Sequence, residues 1–175
     1  MSTHILVTYA SQGGSTAGIA LSIGQSLAAA GALVDVRPAA EVDGLGRYQA
    51  AVIGSAVHSG KWMPAAVALI ERNRDELRRI PTAIFQVCLM QAVENAQYRA
   101  MITDWLASYR AMLRPAAEAS FAGALLPAQY PKLTDRLGLR IFLAAIHLKA
   151  GDYRDWDAVH AWAESLRPLF IRQSL

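Results

Sequence analysis

The chain has 175 residues, 54% of them hydrophobic, with 17 Lys and Arg against 14 Asp and Glu for a net charge of +3; that is one domain's worth of chain, expected to form a single unit over 1–175 with a core that needs no disulfides. The basic residues are scattered rather than striped, which argues against nucleic acid, and no residue run beside Met1 reads as a signal peptide. The lone cysteine, Cys88, excludes a disulfide framework and suits a reducing cytoplasm, while Cys88 and the four histidines (His4, His58, His147, His160) lack metal-ligand spacing.

Strand and helix signals alternate along the chain. His4–Tyr9 is a short apolar, β-branched run, as a strand covered on both faces should be. Ser15–Ala30 follows as a helix with Ile19, Ile23 and Leu27 at four-residue spacing, and Gly31 is a natural stop. Leu33–Arg37 is a second strand ended by Pro38, and Ala50–Ser55 a third. Pro64 opens a helix to about Arg79, because proline is tolerated at a first helical position. Thr82–Cys88 reads as strand four, and Ala96–Arg114 as a helix carrying Met101, Trp105, Tyr109 and Met112. Ser120–Leu125 reads as strand five, and a last helix from Trp156 to Phe170 turns Trp156, Val159, Trp162, Leu166 and Leu169 toward the core. Strands separated by crossovers imply a parallel α/β sheet with helices on both faces.

The segment 133–149 adds a further helix before the last one. Its stretch from Leu137 to Leu148 is mostly apolar and too short to span a bilayer. It is either a helix packed on the core or a surface helix that dips into a membrane interface, flanked by Lys132, Arg136, Arg140 and Lys149.

Ligands of open parallel sheets bind beyond the carboxyl ends of the strands. The loop after the first strand reads Ala10-Ser11-Gln12-Gly13-Gly14-Ser15-Thr16. Its small residues let the backbone curl, the next helix directs free N–H groups and its dipole into the loop, and Ser11, Ser15 and Thr16 add hydroxyls. This is a phosphate cradle without a cationic side chain; neither a Walker-type lysine motif nor Gly-x-Gly-x-x-Gly is present. The second loop offers Ala56, Val57, His58, Ser59, Gly60, Lys61 and Trp62. A flat ligand could rest against His58 or Trp62, with Gly60 permitting close approach; alternatively Trp62 caps the core and His58 is solvated. The third loop follows Cys88, whose thiol has no neighbouring base in sequence and reads as buried and inert.

Taken together, these residues resemble the flavodoxin superfamily, and more narrowly the menaquinone-dependent protoporphyrinogen IX dehydrogenase group. The resemblance is carried by Ile5–Thr16, by Ala51–Ala56 leading to His58 and Gly60, by Pro81–Phe85 and Phe121–Leu125, and by Tyr130-Pro131, Asp135-Arg136 and Asp155-Trp156. It implies a three-layer sandwich around a five-stranded parallel sheet of order 2-1-3-4-5, with one helix added before the last. It implies FMN as cofactor, its phosphate held by Ser11, Gln12, Gly13, Gly14, Ser15 and Thr16. The loop of Ala56, Val57, His58, Ser59 and Gly60 and the loop 87–92, which starts with Val87, Cys88 and Leu89, would flank the isoalloxazine, with 123–127, Gly123 first, nearby. The implied reaction passes hydrogens from protoporphyrinogen IX through the flavin to a membrane quinone, with peripheral membrane contact through 133–149. No protein acid or base is expected, because the flavin supplies the chemistry. Two departures stand out: Ala10 replaces a usual hydroxyl, and only Ala150–Arg154 stands where the group has a longer connection before Asp155. A flavodoxin-type electron carrier and a scaffold without cofactor are the alternatives; the positive charge weighs against the carrier, which would steer toward basic partners with an acidic surface.

Overall fold

The computed structural model describes residues 2–125, 138, 140–141 and 143–171. Strands β1 (His4–Ala10), β2 (Leu33–Pro38), β3 (Ala50–His58), β5 (Thr82–Val87) and β6 (Ala117–Phe121) form a parallel sheet in the order β2-β1-β3-β5-β6. This is the 2-1-3-4-5 order expected of the five principal strands. The register runs Ile5 beside Val34 and Ala50, and Ile53 beside Ile84. Crossovers are made by α1 (Ser15–Ala29), α2 (Pro64–Arg72) with α3 (Arg74–Leu77), and α4 (Ala96–Trp105) with α5 (Ala107–Leu113); α6 (Trp156–Phe170) closes the chain.

The pleat of β1 divides the core. Ile5 and Val7 pack toward Ile19, Ile23 and Leu27 of α1 and Val159, Leu166 and Phe170 of α6. Leu6 and Ala10 pack on the other side with Leu69 and Ile70 of α2 and Leu113 of α5. Residues alternate between faces along a strand, so one apolar run feeds both layers. Gly54 is required at the centre, since a Cβ there would stand 2.0 Å from Cζ of the buried Phe85.

Several elements differ from the sequence reading. The helix expected to reach Arg79 breaks at Asn73, whose buried side chain donates to the Leu69 carbonyl and leaves the backbone off helical angles. The helix over 96–114 is likewise two helices that meet at Leu106, started by Asn95, whose side chain accepts from the Gln97 and Tyr98 amides. Strand five begins at Ala117 and leaves the main sheet after Phe121; β7 (Ala124–Leu125) pairs antiparallel with β8 (Gly151–Asp152) instead. The α6 core face is Val159, Ala163, Leu166 and Phe170, at 3.6-residue spacing, so Trp156 and Leu169 stay exposed at 38% and 43%. Of the added segment, residues 138, 140, 141 and 143–145 are helical, whereas 126–137 lie outside the described residues. Among the described residues no helix is long and apolar enough to cross a membrane.

Candidate functional site

At the carboxyl edge of the sheet the first loop turns through Gly14, whose φ of +82° lies in the left-handed region. The Ser11 hydroxyl accepts the Gly14 amide at 3.0 Å and folds the loop back on itself. The Gly18 amide donates to the Gly14 carbonyl at 3.0 Å and opens the α1 ladder, so the amides just before it have no intrahelical acceptor. Thr16, the second residue of α1, is fully buried and its hydroxyl has no partner. A negatively charged oxygen seated at this helix start would supply the acceptor these donors lack. Ala10 is also buried, packed into the core layer beneath the loop.

The second loop is a hairpin rather than an open loop. β3 continues to His58 and pairs antiparallel with β4 (Lys61–Trp62) across Ser59 and Gly60, both at positive φ, as a tight two-residue turn demands. Ser55 braces it: its hydroxyl donates to the Ala56 carbonyl at 2.8 Å and accepts the Met63 amide at 2.9 Å. Pairing with β3 turns Trp62 into the core at 4% exposure, where it stacks on Tyr109 at 4.2 Å and donates to Gln86 Oε1. His58 stays exposed. Of the two alternatives for this loop, Trp62 takes the core position.

The third loop leaves β5 at Cys88, whose amide donates to the Phe121 carbonyl at 3.1 Å and ties it to the end of β6. Burial raises the Cys88 thiol to about 11, so it is protonated at neutral pH and a poor nucleophile. Beyond β6, the Gly123 carbonyl accepts the Tyr153 amide at 3.2 Å, and the β7–β8 ribbon draws the short 150–154 connection to the same edge.

These turns enclose one cleft of about 430 Å³. Ser11, Gly13 and Ser15 line it from the first loop, Ala56, Val57, His58, Ser59 and Gly60 from the hairpin, Val87, Cys88 and Leu89 from the third, and Gly123 from the fourth. Gln12, Gly14 and Thr16 of the first loop do not line it. Met90, Ala124 and Leu125, within the expected 87–92 and 123–127 loops, line it too, whereas sequence reasoning missed Met101 and Trp105, which also line the cleft. Met101 and Trp105 were legible as an apolar pair four residues apart on a helix, a spacing equally suited to the core. Among the described residues no group of His, Cys, Asp or Glu could hold a metal.

A parallel sheet whose first helix starts beside a cleft at the carboxyl edge of the strands defines an open-sheet α/β protein. The chain matches the Flavodoxin domain family over residues 6–145, and it belongs to that family. Among solved structures it is similar to the flavodoxin of Streptococcus pneumoniae TIGR4, at 14% identity and TM-score 0.60, covering 95% of this chain and 99% of that one. A cysteine-to-serine mutant of Pseudomonas aeruginosa flavodoxin aligns at 15% identity and TM-score 0.52, covering 82% of this chain and 95% of that one. Rubredoxin oxygen:oxidoreductase of Desulfovibrio gigas aligns at 14% identity and TM-score 0.51 over 90% of this chain, which spans only 36% of that protein. At such identities the likeness is one of fold. No curated protein matches the chain.

Proposed function

We propose that the chain binds FMN and works as an oxidoreductase that takes hydrogens from an organic donor and delivers them to a quinone. The observation that carries this reading is the convergence of four turns on one cleft beside an unpartnered helix start. Ser11, Ser15 and Thr16 with the amides of the α1 start would hold the phosphate, and the 56–60 hairpin with Val87–Leu89 would flank the ring. Bound there, FMN supplies a two-electron carrier.

The protein's own part is to bind, orient and exclude water. Ser55 and the two left-handed residues Ser59 and Gly60 fix the hairpin wall, and the Cys88–Phe121 bond fixes the opposite wall. Each pair of hydrogens lost by the donor reduces one quinone to its quinol. The donor proposed from the family resemblance is protoporphyrinogen IX. A lipid-borne quinone also gives the basic, apolar segment 133–149 a use at the inner face of the membrane. No Asp or Glu lines the cleft among the described residues, which supports this reading over a low-potential carrier, since a carboxylate beside a reduced, electron-rich ring would drive its potential down.

The test is a titration of purified protein with FMN, followed by quenching of flavin fluorescence. Stoichiometric uptake that weakens in Gly14→Val and Thr16→Val is the expected result; protein that ignores FMN sinks the reading in favour of a scaffold. Protoporphyrinogen oxidation should then quicken on addition of a soluble naphthoquinone, and a rate indifferent to quinone leaves the electron carrier ahead.

A further inference from the structure

Helix α4 contributes a wall to the cleft that no nucleotide-binding loop accounts for. Ile102 and Leu106 anchor it, at 2% and 3% exposure. The Ile102 carbonyl also accepts Gln86 Nε2 at 2.6 Å, from near the carboxyl end of β5. With that face fixed, Met101 and Trp105, again four residues apart, project from the adjacent face into the cleft, Met101 keeping 37% exposure. The indole lies on the hairpin turn: a Cβ at Gly60 would stand 3.1 Å from Trp105 Nε1 and 3.4 Å from Cε2. Trp62, the indole of the hairpin itself, is stacked away on Tyr109, so Trp105 is the one Trp, Tyr or Phe among the described residues that lines the cleft, which His58 with its smaller imidazole ring lines as well.

We propose that Trp105, with Met101 and Met90, is the wall on which the flat, uncharged ring of the electron acceptor rests, and that Trp105 thereby selects a quinone-type acceptor. This rests on the flavin reading above. The chemistry of the wall sets the class. An indole and two thioethers offer stacking and polarisable contact to an apolar ring. Neither Lys nor Arg lines the cleft among the described residues, so a phosphate-bearing nicotinamide cofactor finds no counter-charge there once the helix start is taken. Held by Ile102 and Leu106, the wall is in place before the acceptor arrives, which lowers the ordering cost of binding.

The probe is 2-methyl-1,4-naphthoquinone, added to FMN-loaded protein and followed by calorimetry and by steady-state kinetics. Trp105→Ala is expected to weaken naphthoquinone binding and raise its KM about tenfold, while FMN affinity changes less than about threefold. Trp105→Phe should recover most of the loss. Ferricyanide, which needs no stacking wall, should lose far less rate than naphthoquinone in both variants. Naphthoquinone binding unchanged in Trp105→Ala overturns the proposal, and so does FMN affinity falling in parallel, which makes the indole a cover for the flavin instead. Wild type that takes up no FMN overturns the flavin reading and this one with it; FMN uptake without any effect of Trp105 overturns only this one.

Discussion

Gly123 meets Ser15 where the first and last turns of the cleft touch, so closely that a methyl on its α-carbon would stand 3.3 Å from Ser15 Oγ and 3.1 Å from Val87 Cγ1. Val87 is buried in β5 and has little room to give way. Gly123→Ala is therefore expected to cost about 1 kcal/mol of stability by overpacking. The larger effect is expected on the ligand, because a displaced Ser15 would disturb the phosphate cradle proposed above: FMN affinity should drop about tenfold. Urea denaturation and fluorescence titration separate the two, and unchanged affinity would show that this junction does not shape the site.

Gln86 is fully buried and bonds to three elements at once: it accepts from Trp62 Nε1 at 3.2 Å and donates to the Ile102 carbonyl at 2.6 Å and to Ser120 Oγ at 3.0 Å. Gln86→Met keeps the shape and strands the indole N–H and the carbonyl in an apolar layer. Each buried group left unpaired costs roughly 1–3 kcal/mol, so a loss of about 2–4 kcal/mol is expected in urea denaturation. A loss under about 0.5 kcal/mol would mean that the network is not what holds α4 against the sheet.

The fold was legible because apolar runs and helical periodicity are local. β1, α1 and β2 fall within a residue or so of their expected bounds, and Ile19, Ile23 and Leu27 are the buried face of α1 as their spacing indicates. What was not legible depended on partners remote in sequence. The choice between the two alternatives for Trp62 falls to the core because Gln86 and Tyr109 partner its indole there. Leu125 leaves strand five because Gly151 pairs with it from the far side of the added segment. The breaks at Asn73 and Leu106 depend on one buried amide and on packing, neither of which perturbs the apolar pattern. The lining of the cleft was readable in Ser11, Gly13 and Ser15 of the first loop and in the 56–60 turn, and not where helix α4 contributes Met101 and Trp105.

Cys88 gives a pH readout of the cleft. Its thiol, raised to about 11 by burial, is neutral through the physiological range, where a free cysteine near 8.5 already ionises in part. Only the thiolate reacts with iodoacetamide. The rate at pH 7.5 should fall at least tenfold below that of a free thiol and climb steadily from pH 9 to 11. FMN bound as proposed should slow it further, because it would cover the cleft that Cys88 lines. A rate equal to free cysteine at pH 7.5 would contradict the burial.

Asp152 and Arg154 test whether the β7–β8 ribbon tightens the first helix. The Asp152 carboxylate accepts the Arg154 side chain through Nε at 2.8 Å and the Arg154 amide at 3.1 Å. The guanidinium in turn lies 4.6 Å from the Trp156 ring centre and so near Gly18 that a Cβ there would stand 2.7 Å from Nη1. The Arg154 bond holds the Asp152 carboxyl below its ordinary value near 3.8. A depressed carboxylate stabilises the fold above its unfolded value and loses that contribution as pH falls through its folded one, so the ribbon should loosen only below about pH 4. Asp152 is 39% exposed on its side chain, which screens the pair and limits its worth to below about 1 kcal/mol. Asp152→Asn at pH 7 should therefore leave the melting temperature within about 3 °C of wild type. It should nevertheless speed amide exchange at Tyr153, whose N–H donates to Gly123 at the edge of the cleft. Wild type below pH 4 should reproduce the same pattern. Arg154→Ala goes further, removing a cation and its packing from the first turn of α1, and should weaken FMN about threefold, with the deficit shrinking in high salt. Salt-independent weakening would assign Arg154 to packing alone.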